Sequence, residues 1–458
     1  MSIKTRLTVM NFLQFFIWGA WLITIGNYWF GTKDWSGEDF GLIFMTLGIS
    51  SLFMPTLMGI IADRWINAEK LYGILHILGG ICVFGLTLAD TPSEFFWVML
   101  AAMIFYMPTI ALTNTISYNA LKKNGFDVVK DFPAVRVWGT VGFIAAMWVT
   151  NLTGNKATEY QFYISAVAAI ILGIYSFSLP KCPPNKGPRE EKSFIQMLGL
   201  DAFKLMKSYK MFIFFLFSMF LGATLQLTNM YGDVFLDEFK YIAEYSNSFV
   251  VKYSTLFMSI SQISETLFIL AIPFFLKRFG IKKVMLISML AWVLRFGLFS
   301  YGNPGDFLWM IILSNIIYGM AFDFFNISGS LFVETESPTK FRASAQGLFM
   351  MMTNGFGAII GALASGFIIK KYFTIDFNIA KNAAEYLGCN ANSEHFTNLL
   401  KDKGLSILAN GTLSNTLSFK DWPHIWMTFA IYALIVTVLF AILFKHKHKP
   451  EEIKEVNH

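Results

Sequence analysis

The sequence predicts an all-α membrane protein with twelve transmembrane helices. Of its 458 residues, 55% are hydrophobic and only 14% are charged, whereas a soluble domain carries about 25% charged residues. The mean hydropathy is +0.53 over the whole chain, so too few polar side chains remain to cover a water-facing surface. Each spanning segment must be helical, because the bilayer contains no water that could satisfy an irregular backbone.

Twelve apolar segments come close to the roughly 20 residues that a helix needs to cross the hydrocarbon core. The first one continues to Phe30 without a small-residue cleavage site, so we expect a retained helix rather than a signal peptide. The three cysteines are far apart and indicate neither a disulfide framework nor a metal site. The segments span residues 8–30, 40–62, 70–89, 95–120, 137–153, 160–180, 209–231, 249–276, 281–301, 306–333, 343–369 and 423–444.

The Lys and Arg residues of the connecting loops are unevenly distributed across the predicted membrane. Most of them lie on the side of the chain termini, and by the positive-inside rule that side is cytoplasmic. The short loops of the opposite side hold only Lys33, Lys156, Lys240 and Lys252. We therefore expect both termini in the cytoplasm, and we interpret the net charge of +6 as a topology signal rather than as affinity for nucleic acid.

A Pro-, Gly- and charge-rich stretch, PKCPPNKGPREEK, divides the chain into two halves of six predicted helices. A faint repeat of GIIADRW as FFLKRFGIKK supports the division, and parallel repeats of this kind are typical of one large transporter architecture with its substrate between the halves. The predicted units are an N-terminal six-helix bundle (1–180), a cytoplasmic linker (181–208), a C-terminal bundle (209–446) with an extracytoplasmic polar loop (372–422), and a cytoplasmic tail (447–458).

Two carboxylates lie near the middle of predicted helices, Glu265 in MSISQISETLFIL and Asp323 in YGMAFDFFNIS. An aspartate at the centre of a membrane helix costs about 2.5 kcal/mol or more on insertion scales, so such residues usually face a cavity or a partner. Desolvation disfavours the charged form of a carboxyl group, as reversible protonation requires. Both residues are candidates for carrying a proton or accepting a substrate hydrogen bond; the alternative is a carboxyl group that only joins two helices.

Neutral polar and aromatic side chains follow helical spacing on the same segments. Gln262 lies three residues before Glu265, and Gln226 and Asn229 form another i,i+3 pair. Tyr318 and Phe322 are four residues apart and place rings beside the aspartate. Amides can pair with the edge of a nucleobase and aromatic rings can stack on it, but the same groups suit a sugar. The alternative for each amide is a hydrogen bond between helices, worth roughly 0.6 kcal/mol.

Arg136 and Arg295 lie in or next to the predicted spans. Arg136, Thr140 and Phe143 are spaced i, i+4, i+7 and form one helical stripe. From the residues alone, Arg136 is either part of a binding site or a positive anchor at the start of its helix. Arg295 lies about two turns from the predicted outer boundary, and snorkelling of its side chain to the interface explains it.

No sequence motif indicates catalysis. The chain lacks GxxxxGK[ST], HExxH and GxSxG, so no nucleotide hydrolysis, zinc peptidase or serine hydrolase chemistry is expected. We expect a protein that is not an enzyme and that uses no cofactor or metal.

Several long strings resemble a known family. FLQFFIWGAWLITIG, LFMPTLMGIIADRW, DFPAVRVWGTVGFIAAMWV, SQISETLFILAIPFFL, YGMAFDFFNISGSLFVE and RASAQGLFMMMTNGFG are similar to strings of the nucleoside permeases in the nucleoside:proton symporter family of the major facilitator superfamily. The similarity runs in order from the first helix to the KHK tail and is interrupted mainly at 372–422. The superfamily loop motif is weaker, because WINAEK follows Asp63 and Arg64.

The resemblance implies two six-helix bundles around a central cavity and alternating access between the two sides of the membrane. It implies uptake of nucleosides such as uridine or adenosine together with protons, by a monomer in the bacterial inner membrane, with Glu265 and Asp323 in proton coupling. The loop motif implies a conformational gating role for Asp63 and Arg64. The substrate-binding residues implied by the family are Arg136, Thr140, Phe143, Gln226, Asn229, Gln262, Glu265, Tyr318, Phe322 and Asp323.

Three other functions were weighed against nucleoside transport. A sugar or oligosaccharide:proton symporter has the same fold and similar buried carboxylates and rings, and it is the closest alternative. A membrane-embedded enzyme would need a nucleophile, a metal cluster or a catalytic dyad, and the sequence offers none. A nutrient-sensing receptor would need a signalling domain, and no such domain is visible in this sequence.

Overall fold

The computed structural model describes residues 2–184, 200–338 and 342–446. Most of the predicted linker (185–199) and the predicted tail (447–458) lie outside the described residues. The α-helices of seven or more residues are α1 (Ile3–Gly19), α2 (Gly37–Arg64), α3 (Ala68–Gly85), α4 (Pro92–Lys123), α5 (Val128–Leu152), α6 (Tyr160–Ser176), α7 (Tyr209–Glu238), α8 (Ser254–Tyr301), α9 (Leu308–Glu336), α10 (Arg342–Met350), α11 (Ala358–Tyr372), α12 (Ala380–Tyr386), α13 (Glu394–Asp402) and α14 (Trp422–Leu443), and the strands are β1 (Thr374–Ile379) and β2 (Thr412–Lys420).

Within the described residues, nine helices are long and apolar enough to cross a membrane, and α6 is a shorter apolar helix. One of the nine, α8, contains two predicted segments and bends at Gly280, where φ is 75° and ψ is 168°. Glycine suits this position because a side chain disfavours a positive φ. The first predicted segment is helical to Gly19 and ends in a π-helical stretch (Asn27–Thr32). These elements are consistent with the twelve predicted spans.

Glycines permit backbone contact where helices cross within the bundle. A Cβ atom on Gly142 of α5 would lie 2.1 Å from the carbonyl oxygen of Phe12 on α1. A Cβ atom on Gly222 of α7 would likewise lie 2.1 Å from the carbonyl oxygen of Thr353, in the π-helical stretch between α10 and α11. Small residues at such crossings allow close packing where lipid provides no hydrophobic drive for helix association.

The polar segment predicted as an extracytoplasmic loop folds into a small subdomain, residues 374–420. Its strands pair antiparallel, with Thr374 opposite Lys420, and they add the hairpin that the all-α prediction did not include. The subdomain has a separate apolar core formed by α12, α13 and β2, which includes Ala383, Phe396 and Leu417. The hydrophobic pattern of the sequence did not predict this subdomain, because its strands and helices are short and largely exposed.

Candidate functional site

The two membrane carboxylates are carried by neighbouring helices that approach each other closely. A Cβ atom on Gly319 of α9 would lie 2.6 Å from the backbone nitrogen of Glu265 on α8, so glycine lets α9 pack against the backbone at this glutamate. Asp323 is one turn further along α9 and only 5% exposed, and its Oδ2 has no hydrogen-bond partner among the described residues. The two carboxyl groups lie within Coulombic range of each other.

Arg136 faces these carboxylates from the other half of the chain. It lies more than two turns inside α5, which begins at Val128 rather than near residue 137 as predicted. Its guanidinium carbon lies 4.1 Å from the ring centroid of Phe15 on α1, and its charge is within Coulombic range of Glu265 and Asp323. Arg136 is therefore not an anchor at the start of its helix, and it supplies positive charge inside the bundle.

The remaining members of the α5 stripe lie beside aromatic side chains of the N-terminal half. Phe143 is partly buried and meets Trp18 edge-on at a centroid distance of 6.5 Å, and Trp18 also contacts Tyr106 at 5.8 Å. Thr140 is partly buried between Arg136 and Phe143 along the helix. The α5 stripe thus offers a hydroxyl group, a cation and an aromatic ring, next to the further rings of Trp18 and Tyr106.

Two of the three predicted amides, Gln226 and Gln262, present buried polar atoms without protein partners among the described residues. Asn229 donates from Nδ2 to Oε1 of Gln226 at 3.5 Å, as their i,i+3 spacing predicts. Within the described part of the chain, Nε2 of Gln226 and Oε1 of Gln262 are buried and make no hydrogen bond. Buried polar atoms usually have a partner, so these amides suit a polar ligand better than they suit interhelical bonding.

The rings of Tyr318 and Phe322 form a ladder along α9. Their planes are 7° apart and their centroids are 6.2 Å apart, which is the arrangement expected from a spacing of four residues. Trp292 of α8 packs edge-on against Tyr318 at 5.8 Å. The C-terminal half therefore combines aromatic faces, amides and carboxylates, the set of groups that can hold an aromatic base and a polyhydroxyl ring.

Arg295 does not snorkel to the membrane surface, so that prediction was wrong. Its side chain is 0% exposed and lies between α8 and α9. Nη1 donates to the carbonyl oxygen of Ser314 at 2.7 Å, and the guanidinium carbon is 4.7 Å from the ring centroid of Tyr318. Distance from a helix end, which motivated the prediction, does not reveal the direction in which a side chain points around the helix.

Polar contacts join the two halves at the end of the bundle predicted to face outward. Nδ2 of Asn27 donates to Oδ2 of Asp233 at 2.5 Å, and Nζ of Lys156 lies 2.5 Å from Oδ1 of Asp237. Sequence reasoning did not select these residues. The only signal was the i,i+4 spacing of Asp233 and Asp237 just beyond the predicted segment 209–231.

The proposed gating pair lies at the far end of α2. Asp63 is exposed and Arg64 is the last residue of the helix. Their place at a helix end agrees with a loop motif, but nothing in their geometry tests gating. That role stays a prediction.

The fold and the interior of this bundle define a membrane transporter for a polar solute, with the architecture of the major facilitator superfamily. The family model described as "Nucleoside H+ symporter" matches residues 1–389. The chain belongs to this family, as the sequence resemblance implied.

Two curated relatives and one crystal structure illustrate how far the similarity extends. The chain is 45% identical to the nucleoside permease NupG of Escherichia coli (strain K12) over 449 residues, which cover 98% of this chain and 97% of that protein. It is 46% identical to the xanthosine permease of the same organism over 457 residues, 99% of each chain. A crystal structure of nucleoside transporter NupG superposes with a TM-score of 0.82 at 44% identity, covering 98% of this chain and 100% of that chain.

Proposed function

We propose that this protein imports purine nucleosides, pyrimidine nucleosides or both, and that protons enter with them. The observation that supports coupling is the group of three ionisable side chains inside the bundle: Glu265 and Asp323 on one half and Arg136 on the other. A carboxylate that alternates between a proton and a nearby cation can link protonation to the relative position of the two halves. The family, whose model is described as a nucleoside H+ symporter, supplies the substrate class.

The amides and rings divide the recognition of a nucleoside between its two parts. Amide donors and acceptors match the edge of a base or the ribose hydroxyl groups, and aromatic faces stack on the base. Carboxylates accept hydrogen bonds from ribose hydroxyl groups, which gives charge-assisted bonds stronger than neutral ones. The proposed contacts are Arg136, Thr140, Phe143, Gln226, Asn229, Gln262, Glu265, Tyr318, Phe322 and Asp323, with Glu265, Asp323 or both carrying the proton.

The two halves, residues 1–180 and 209–446, would move against each other to expose the site alternately. The Lys and Arg distribution supports cytoplasmic termini in a bacterial inner membrane. With that orientation, we propose that the contacts of Lys156 with Asp237 and of Asn27 with Asp233 hold the outer side closed. We propose that the transporter acts as a monomer, since one chain contributes both walls of the site.

Uptake by whole cells tests the substrate class. Cells that lack their own nucleoside permeases and express this protein should accumulate labelled uridine, adenosine or xanthosine, and excess unlabelled nucleoside should compete. Free bases, ribose and maltose should not compete, and a protonophore should abolish accumulation. Competition by sugars in place of nucleosides, or accumulation that persists after the proton gradient has collapsed, contradicts the proposal.

A further inference from the structure

Arg295 is a buried cation that the proposed transport mechanism does not use. It is 0% exposed, and no carboxylate oxygen of the described residues lies within 4.0 Å of its guanidinium. Charged side chains at membrane depth are costly and are usually functional. Its position between two helices of the site makes it a candidate for a role in that site.

Two aromatic rings lie close to the guanidinium. Its central carbon is 4.7 Å from the ring centroid of Tyr318 and 4.8 Å from that of Phe299. A cation over a ring face is attracted by the quadrupole of the ring, and the attraction is stronger where water is excluded. The planar guanidinium can stack on a ring over its whole area, which an ammonium group cannot do.

The hydrogen bonds of Arg295 fix the guanidinium in one place but do not use all its donors. Nη1 donates to the carbonyl oxygen of Ser314 at 2.7 Å, and Oγ of Ser314 donates back to the carbonyl oxygen of Arg295 at 2.9 Å. Nη1 is also 3.5 Å from Oγ of Ser261, one residue before Gln262. Among the described residues, Nε and Nη2 have no partner, so the guanidinium interacts with the site chiefly through the ring of Tyr318.

We propose that Arg295 is a positioning residue of the nucleoside site, an inference that rests on the proposed function. Its guanidinium packs against the ring of Tyr318 and fixes the position of that ring. The ring of Phe322 lies next along α9, with its plane 7° from that of Tyr318. Through Ser261 the guanidinium also connects the arm of α8 after Gly280 to the arm that carries Gln262. Loss of the guanidinium releases the ring that stacks on the substrate and so weakens nucleoside binding.

Nucleoside affinity in purified variants separates this role from a purely structural one. Arg295→Met replaces the guanidinium by a shorter, unbranched and uncharged side chain, and it should raise the Kd and the KM for uridine or adenosine by about fivefold to tenfold. Transport velocity at saturating nucleoside, per folded transporter, should stay within about twofold of wild type. The reason is that an interaction made equally in the bound state and in the transition state affects KM rather than kcat. Arg295→Lys retains charge but not stacking, so its Kd should also rise, by about threefold.

A double-mutant comparison connects the effect to Tyr318. In a Tyr318→Ala background, Arg295→Met should cause no further loss of affinity, because the ring that it positions is already absent. Full additivity of the two losses overturns the proposal, and so does a reduced velocity with unchanged KM. If Arg295→Met does not fold, Arg295→Lys decides, and an unchanged Kd in that variant overturns the proposal.

Measuring nucleoside binding by the wild-type protein in the same assay shows whether a negative result contradicts the role of Arg295 or the proposed function itself. Absence of nucleoside binding by wild type contradicts the assigned substrate class. Normal wild-type binding together with unaltered Arg295 variants contradicts the positioning role alone. Phe299→Leu is the matched control, because it removes the second ring beside the guanidinium, which is not a proposed substrate contact, and it should change nucleoside affinity less than Arg295→Met does.

Discussion

At the residue scale, the functional predictions for this protein depend mostly on the ionisable side chains at membrane depth. The sequence predicted Glu265 and Asp323 as functional because a carboxylate in an apolar helix needs a cavity or a partner. Helical spacing also predicted the amide pair and the stripe of two rings on α9, and both are present. It could not predict how Arg295 is oriented, because spacing along one helix contains no information about the helix that packs against it.

Neutral substitutions of the two carboxylates test their proposed role in proton coupling. Asp323→Asn and Glu265→Gln should each lower proton-driven uptake by at least about tenfold, since a charge-assisted hydrogen bond and a proton acceptor are lost together. The measurement is initial uptake normalised to the amount of protein in the membrane. Asp306→Asn, at an exposed loop position, is the control and should transport like wild type. Wild-type uptake by both membrane variants would remove these carboxylates from the site.

At the scale of elements, the sequence predicted where helices occur, but it did not predict where they bend or change to a π-helix. Hydropathy depends only on apolar length, and the apolar helices of the described residues are consistent with the spans that it predicted. The bend of α8 at Gly280 and the π-helical stretches at Asn27–Thr32 and Met351–Gly357 depend on packing between helices. The subdomain of residues 374–420 was invisible to hydropathy for another reason: its two strands and short helices acquire a core only after they come together.

The crossing of α1 and α5 makes a prediction about stability. Gly142→Ala places a methyl group 2.1 Å from the carbonyl oxygen of Phe12, so the helices must separate, at a cost of about 1–3 kcal/mol for overpacking. Thermal unfolding of the purified protein in detergent should show a clearly lower Tm. Gly297→Ala on α8 is the matched control, because no atom lies within 4 Å of its added Cβ. Equal unfolding temperatures for both variants would show that the close crossing does not limit stability.

At the scale of the whole molecule, two halves enclose one polar interior and are joined at one end by buried polar contacts. The division into halves was predicted from the linker and the faint repeat, whereas the contacts between the halves at the end predicted to face outward were not. Lys156 and Asp237 are far apart in sequence, and only the folded bundle brings them to 2.5 Å. Their side chains are 14% and 7% exposed, so solvent screens this pair less than it screens a surface ion pair.

Breaking that pair should favour the outward-open state. In a background without the three native cysteines, spin labels at Thr153→Cys and Asn247→Cys report the separation of the two halves at the outer end. Lys156→Met should add a population at longer distances, because the cross-half pair with Asp237 and the bond to Ser254 are lost. Lys240→Met removes another partner of Asp237 within the same half and should leave the distance distribution unchanged. Identical distributions for Lys156→Met and wild type would show that this pair does not hold the outer side closed.

Proton movement during nucleoside transport in proteoliposomes tests the central claim most directly. Purified protein is reconstituted with a pH-sensitive dye inside the vesicles, and a nucleoside gradient is imposed without any initial pH gradient. We predict that inward nucleoside flux acidifies the lumen, that an imposed inward proton gradient drives accumulation of labelled nucleoside above its external concentration, and that Asp323→Asn loses both effects. Nucleoside flux without any pH change, and without accumulation under the imposed gradient, would contradict proton-coupled transport.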